Sequence, residues 1–159
     1  MQVVDNKAIV LSTKHPHLIT ESIEKYKILS EEAGVFKIAV YWGLEEAQVL
    51  ANLKVKDVPS PIERDYTWVG KHKPFDHQRA TSSFLTLHKK AFCFNEQGTG
   101  KTASVIWAAD YLMNRGDIKR VLVIAPLSIM KSAWQEDLFK FAMHRSCSVA
   151  HGTAAQRRK

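Results

Sequence analysis

Residues 91–107, "AFCFNEQGTGKTASVIW", restrict the folds open to this chain more than any other stretch. An apolar run gives way to a loop with two glycines, and an amphipathic stretch follows. Strand, tight loop and helix are predicted in that order. Gly98 and Gly100 let the backbone curl so that successive N–H groups face inward, an anion-binding concavity at a helix N-terminus. With Thr99 between the glycines, Lys101 then reaches a β- or γ-phosphate, and the Thr102 hydroxyl ligates Mg²⁺. The strict phosphate-loop pattern G-x-x-x-x-G-K-[ST] has glycine where Asn95 stands here. Glu96 and Gln97 read as solvated loop.

The rest of the second half alternates in the same way. Helices are predicted over 76–88, 101–114 (stopped at Gly116) and 128–143. Strands are predicted over 91–95, over "RVLVIAP" at 120–126 and over 147–152, with a further helix starting in "TAAQRRK". Alternating helices and continuously apolar strands predict a parallel sheet covered on both faces. The first half predicts a small α/β unit: strand 7–13, helix 17–34, strand 35–42 and helix 44–53. In the first of those helices Leu18, Ile19, Ile23, Tyr26, Ile28 and Leu29 fall on one stripe, and Gly34 supplies a stop. Pro59, Pro61 and Pro74 break regular structure between the halves. The expected organisation is an accessory domain at 1–56, a linker at 57–73 and a nucleotide-binding part at 74–159.

Charge separates the halves as well. Residues 1–70 hold 8 Lys/Arg against 10 Asp/Glu, whereas residues 71–159 hold 15 against 6, giving +7 in all. A basic second half suits a polyanion, either nucleic acid or nucleotide phosphate. No apolar run reaches the roughly 18 residues of a membrane span, and the N-terminus lacks the pattern of a secretory signal. Two distant cysteines, Cys93 and Cys147, read as buried, reduced thiols of an intracellular protein.

Three motifs carry a resemblance. "NEQGTGKT" resembles motif I of superfamily II helicase-like ATPases, although Asn95 departs from the small residue usual at its first position. Gln78, 20 residues before Gly98 in "KPFDHQRATSSFL", resembles the adenine-reading glutamine of the Q motif, with Phe75 beside it. A carboxamide both donates and accepts, which matches an adenine edge. "RVLVIAPLSIMKSAWQEDLFKF" resembles motif Ia of the Swi/Snf-type branch. The resemblance covers about residues 72–159 and implies a RecA-like P-loop parallel sheet, the incomplete first lobe of a motor. It implies ATP and Mg²⁺ as cofactors and nucleic acid as partner, DNA ahead of RNA. Pro126, Leu127, Ser128 and Lys131 would contact a nucleic-acid strand by its phosphates. Ser128 serves equally as a helix cap. Trp134 reads as packing, with Phe139 and Phe141 beside it. Arg157, Arg158 and Lys159 read as a charged helix face or as residues near nucleic acid. A bacterial or phage-infected cytoplasm is the implied setting.

Such ATPases hydrolyse ATP with an acidic motif II after a later strand. Asp110, Asp117, Glu136 and Asp137 all fall in helices or turns, and the second lobe with its arginine finger is absent. The expectation is an N-terminal portion that binds nucleotide without turning it over, with part of its apolar sheet face uncovered. A complete, non-catalytic nucleotide- or nucleic-acid-binding module is the alternative, and a small-molecule kinase is a third. In the first half, Tyr41, Trp42, Tyr66 and Trp68 serve either as core or as an aromatic nucleic-acid surface.

Overall fold

Four strands, Gln2–Val4 (β1), Ala8–Thr13 (β2), Tyr26–Glu32 (β3) and Val35–Tyr41 (β4), form an all-antiparallel sheet in the order β1-β2-β4-β3. Ile9, Leu11, Ile38 and Val40 alternate with polar or small residues and are buried on one face. That is the period-two pattern of a sheet with a single covered side. The computed structural model describes residues 1–155. These fall into two units, residues 1–66 with 83–92 and residues 67–82 with 93 onward.

In the first unit the covered face packs on Pro16–Thr20 (α1) and Leu44–Asn52 (α2), with Ile19, Ile23, Trp42 and Leu50 joining the strand residues in one core. Glu45 and Glu46 lie in the first turn of α2, where the helix dipole favours acidic groups. Beyond it, Ser60, Pro61 and Ile62 are buried, the last opening the short helix Ile62–Asp65 (α3). The Trp42 indole donates to the Pro59 carbonyl at 2.8 Å. Tyr66 is buried too.

The helix expected over 17–34 is instead a short helix followed by β3. Glu32 pairs directly with Val35, and both intervening residues have positive φ, 48° at Ala33 and 75° at Gly34. That is the signature of the two-residue type I′ hairpin turn, which glycine makes accessible. Over so short a stretch the apolar spacing fits either period, and the hydrogen-bonded ladder with β4 decides it.

Asp76–Leu87 (α4) gives its first seven residues to the second unit. There Lys101–Arg115 (α5) runs between two left-handed glycines, Gly100 and Gly116. Trp107 is buried at its centre, edge-on to Trp68 and Phe141, and its indole donates to the Val69 carbonyl at 2.8 Å. Leu127–Ile129 (α6), a π-helical turn over Met130–Gln135 and Glu136–Phe141 (α7) form one winding run. Gly70 lets the preceding chain meet α7 closely: a Cβ there would stand 2.9 Å from the Lys140 carbonyl oxygen and the Phe141 Cα.

The predicted parallel, RecA-like sheet is not formed. Among the described residues every strand is antiparallel and lies in the first unit, and segments 91–95, 120–126 and 147–152 form no strand. Leu122 is 85% exposed and Ile124 91% exposed, on the segment expected to be buried on both faces. A cavity of about 910 Å³ lies between that segment, α5 and the π-helical turn, lined by Ile106, Met113, Val123 and Trp134 among others. Apolar composition is local, but a strand needs a hydrogen-bonded neighbour, which composition does not supply. Among the described residues no helix is long and apolar enough to cross a membrane. The helix start expected in "TAAQRRK", with Arg157, Arg158 and Lys159, reaches beyond the described residues.

Candidate phosphate-binding site

The loop before α5 is wound around its own lysine. The Lys101 ammonium donates to the Asn95 carbonyl at 2.8 Å and to the Glu96 carbonyl at 2.7 Å, closing residues 95–101 into a ring. Gly98 and Gly100 have φ of 77° and 74°, the left-handed region that glycine enters without steric cost. The Thr99 hydroxyl donates to the Glu96 carbonyl at 2.8 Å, a further tie across the ring. Gly100 is the N-cap of α5 and no side chain caps that end. The first N–H groups of the helix therefore point out of it without an intrahelical acceptor. Positive helix end and ammonium coincide, which is chemistry a phosphate group needs. Thr102 sits in the first turn beside Lys101.

The first half of α4 holds this loop in place. Gln78 is buried, and its carboxamide works at both ends: Oε1 accepts from the Phe75 N–H at 3.0 Å and Nε2 donates to the Thr99 carbonyl at 3.2 Å. Gly100 is required under it, since a Cβ there would collide with the Gln78 amide nitrogen. His77 Nε2 lies 3.0 Å from the same Thr99 carbonyl. The Ser82 hydroxyl lies 2.9 Å from both the Gln78 and the Ser104 carbonyl and shares its one proton between them, joining α4 to the first turn of α5. Asn95 has a role of its own: its amide donates to the Thr81 hydroxyl at 2.9 Å and anchors the start of the loop to α4. A glycine could not make that bond.

Phe75 is 69% exposed and stacks on the His77 ring at 5.7 Å with an 11° interplanar angle, an aromatic step beside the loop. Of Gln78 and Phe75, expected beside the nucleotide, Gln78 touches the loop through Thr99, and Phe75 is tied to Gln78 and stacks on His77. His77, Thr81 and Ser82 were not singled out. Their spacing from Gln78 on one helical face, at i−1, i+3 and i+4, was the available signal.

The motif Ia residues are arranged differently. Pro126 is the N-cap of α6, so Ser128 lies inside the helix and caps nothing. Its carbonyl accepts from the Ser132 hydroxyl at 3.5 Å. Leu127, Ser128 and Lys131 are exposed. Phe141 packs on Trp107, Trp134 is half-buried, and Phe139 faces solvent.

Comparison with protein-family models, curated proteins and solved structures finds no match.

The carboxylates considered for motif II mostly have other work. Asp110 is buried on α5 and accepts from Arg145 Nε at 2.6 Å and from His144 Nε2 at 2.8 Å. Asp117 accepts from Arg115 at 2.8 Å, and Asp137 from Lys140 at 2.9 Å. The Asp137 hydrogen bond raises the exposed Lys140 above the ordinary lysine value. Among the described residues no three His, Cys, Asp or Glu side chains gather as a metal site.

Proposed function

We propose that the chain is the ATP-binding front portion of a DNA-dependent ATPase of the helicase-like translocase type, acting inside the cell. The observation that carries this reading is the ring closed by Lys101 on the Asn95 and Glu96 carbonyls, opening onto the uncapped N-terminus of α5. In it the polyphosphate takes the N–H groups of Gly98, Thr99, Gly100, Lys101 and Thr102, and the Lys101 ammonium lies against the β- and γ-phosphates. Thr102 holds Mg²⁺, which screens phosphate charge. Gln78 braces the loop through Thr99, and the second lone pair and second N–H of its amide remain for an adenine edge. Phe75 offers the base a stacking face. Ser128 and Lys131, exposed at the start of the α6 run, supply contacts to a nucleic-acid strand.

Asp110, Asp117 and Asp137 are each engaged by a cation, and Glu136 lies in the first turn of α7 rather than after a strand, so this portion is expected to bind nucleotide without turning it over. The test is a titration of the chain with a fluorescent ATP analogue in the presence and absence of Mg²⁺. Lys101→Ala is expected to weaken binding at least tenfold while circular dichroism stays unchanged, and AMP is expected to compete poorly. Equal binding by Lys101→Ala, or equal competition by AMP, would sink the phosphate-loop reading. DNA that leaves nucleotide affinity unchanged in the wild type and in Lys131→Ala would sink the coupling to nucleic acid.

A further inference from the structure

We infer that the uncovered face of the first unit's sheet is a binding surface for single-stranded nucleic acid. The inference is independent of the nucleotide site.

The sheet register divides its residues between two sides. Ile9, Leu11, Ile38 and Val40 face the core with α1 and α2. Their neighbours face the other way, and the pairs run in rows across the strands. Ala8 stands opposite Tyr41, Val10 opposite Ala39, and Ser12 opposite Lys37. β3 extends two of the rows, with Lys27 opposite Ala39 and Ser30 opposite Lys37. The middle of this face is small and half-exposed (Ala8, Val10, Ala39), while Lys27, Lys37 and Tyr41 stand exposed around it. Lys25 joins them, its ammonium 5.1 Å from the centroid of the Tyr41 ring.

Charge argues for the occupant. The first half of the chain is acidic in sum, yet the three rows hold lysines and no carboxylate. Glu32, opposite Val35, stands in the next row of this same face beyond Lys37, at the hairpin tip; the other acidic residues lie elsewhere, among them Glu45 on α2 and Glu63 and Asp65 on α3. Glu46 on α2 borders the Tyr41 end of the face, since its carboxylate and the Tyr41 ring both crowd the space beside Gly43. A face that gathers Lys25, Lys27 and Lys37 around a small centre suits a polyanion.

The aromatics argue for a single strand. Of the four weighed from the sequence, Trp42 and Tyr66 are buried and Trp68 packs on Trp107. Tyr41 alone projects from the open face, 45% exposed. A base stacking on Tyr41 displaces the Lys25 ammonium from the ring, and its long stem carries the charge to the adjoining phosphate. The small residues at the centre let the backbone of the strand lie close to the sheet, with Lys27 and Lys37 about one strand spacing away. Unstacked bases are available only in single strands, and every base offers a π-face, so the surface tolerates any sequence.

The test uses the whole chain without nucleotide and the anisotropy of a fluorescein-labelled 20-mer of oligothymidylate at low salt. Lys27→Glu/Lys37→Glu is expected to weaken binding more than tenfold, and Lys27→Gln/Lys37→Gln to lower the salt dependence by about 1.4 in log–log slope, for two phosphate contacts at about 0.7 each. Tyr41→Ala is expected to lose about fivefold to a hundredfold, with Tyr41→Phe within twofold of the wild type. Lys27 and Lys37 are solvated charges, so urea midpoints of the lysine variants should barely move. Unchanged affinity in the lysine variants overturns the proposal. So does a duplex of equal length that binds as tightly as the single strand and ignores Tyr41→Ala. Loss of binding in Lys131→Ala with full binding in the sheet variants would move the contact to α6 and overturn it too.

Discussion

The two units treat their apolar segments in opposite ways. Residues 35–41 and 120–126 have nearly the same composition, β-branched and apolar, and both are predicted as strands. Val35–Tyr41 has a neighbour on each side, β2 and β3, and buries Ile38 and Val40 completely. Residues 120–126 pair with no strand, and Leu122 and Ile124 stand in solvent. The lesson is that burial follows from partners. β4 has them through a two-residue turn to β3 on one side and, on the other, through the chain over 14–34 that returns it against β2; residues 120–126 have neither.

The largest effect should follow from removing a partnered residue. Ile38→Ala takes three carbons from a position with no exposure, inside the core cluster of the first unit. A loss of about 2–5 kcal/mol is expected. Hydrogen exchange read by unit is the measurement, because a single unfolding midpoint mixes two units. Amides of residues 8–41 should lose protection while those of 101–115 keep theirs. Equal loss in both would mean that the units unfold as one and would break the comparison.

The second unit depends more on polar ties, and Asp110 is the clearest. Its carboxylate is buried and bound to Arg145 and His144, fastening the chain beyond α7 to α5. Asp110→Asn keeps one acceptor and removes the charge. Both partners are partly exposed and regain water, so the cost should be near 2 kcal/mol, below that of a sealed ion pair. Exchange over 101–115 and 136–145 is expected to rise, and β4 to stay protected. A change below about 0.5 kcal/mol would show that packing around Trp107 holds this unit without the ion pair.

The same distinction between local and distant conditions explains what could be read in advance. α2, α4 and α5 follow from periodicity and end signals, with Gly116 stopping α5 where expected. The residues at the loop were legible for the same reason, because Gly98, Gly100, Lys101 and Thr102 are adjacent in sequence. Gln78 was legible by position but not by its bonds: its burial and its grip on Thr99 depend on how α4 meets the loop. Asn95 looked like a departure from a pattern, and only its bond to Thr81 explains the residue chosen. The helix expected over 17–34 failed at Tyr26–Glu32, where the deciding fact was a partner strand beyond the turn.

The smallest expected effect is the most pointed. Ile124→Ala makes the same chemical change as Ile38→Ala, at a residue 91% exposed. A side chain already in water loses almost no buried area when shortened, so stability should move by no more than about 0.5 kcal/mol. The two substitutions thus differ only in whether the strand has neighbours. If Ile124→Ala costs as much as Ile38→Ala in a solution of the pure chain, residues 120–126 are covered there, and the contrast between the units falls. If it costs nothing and also raises solubility, Ile124 is an exposed apolar group that drives association, as an uncovered run of this kind should. Sedimentation of both variants at two concentrations separates these results, because coverage within one chain does not depend on dilution and association does.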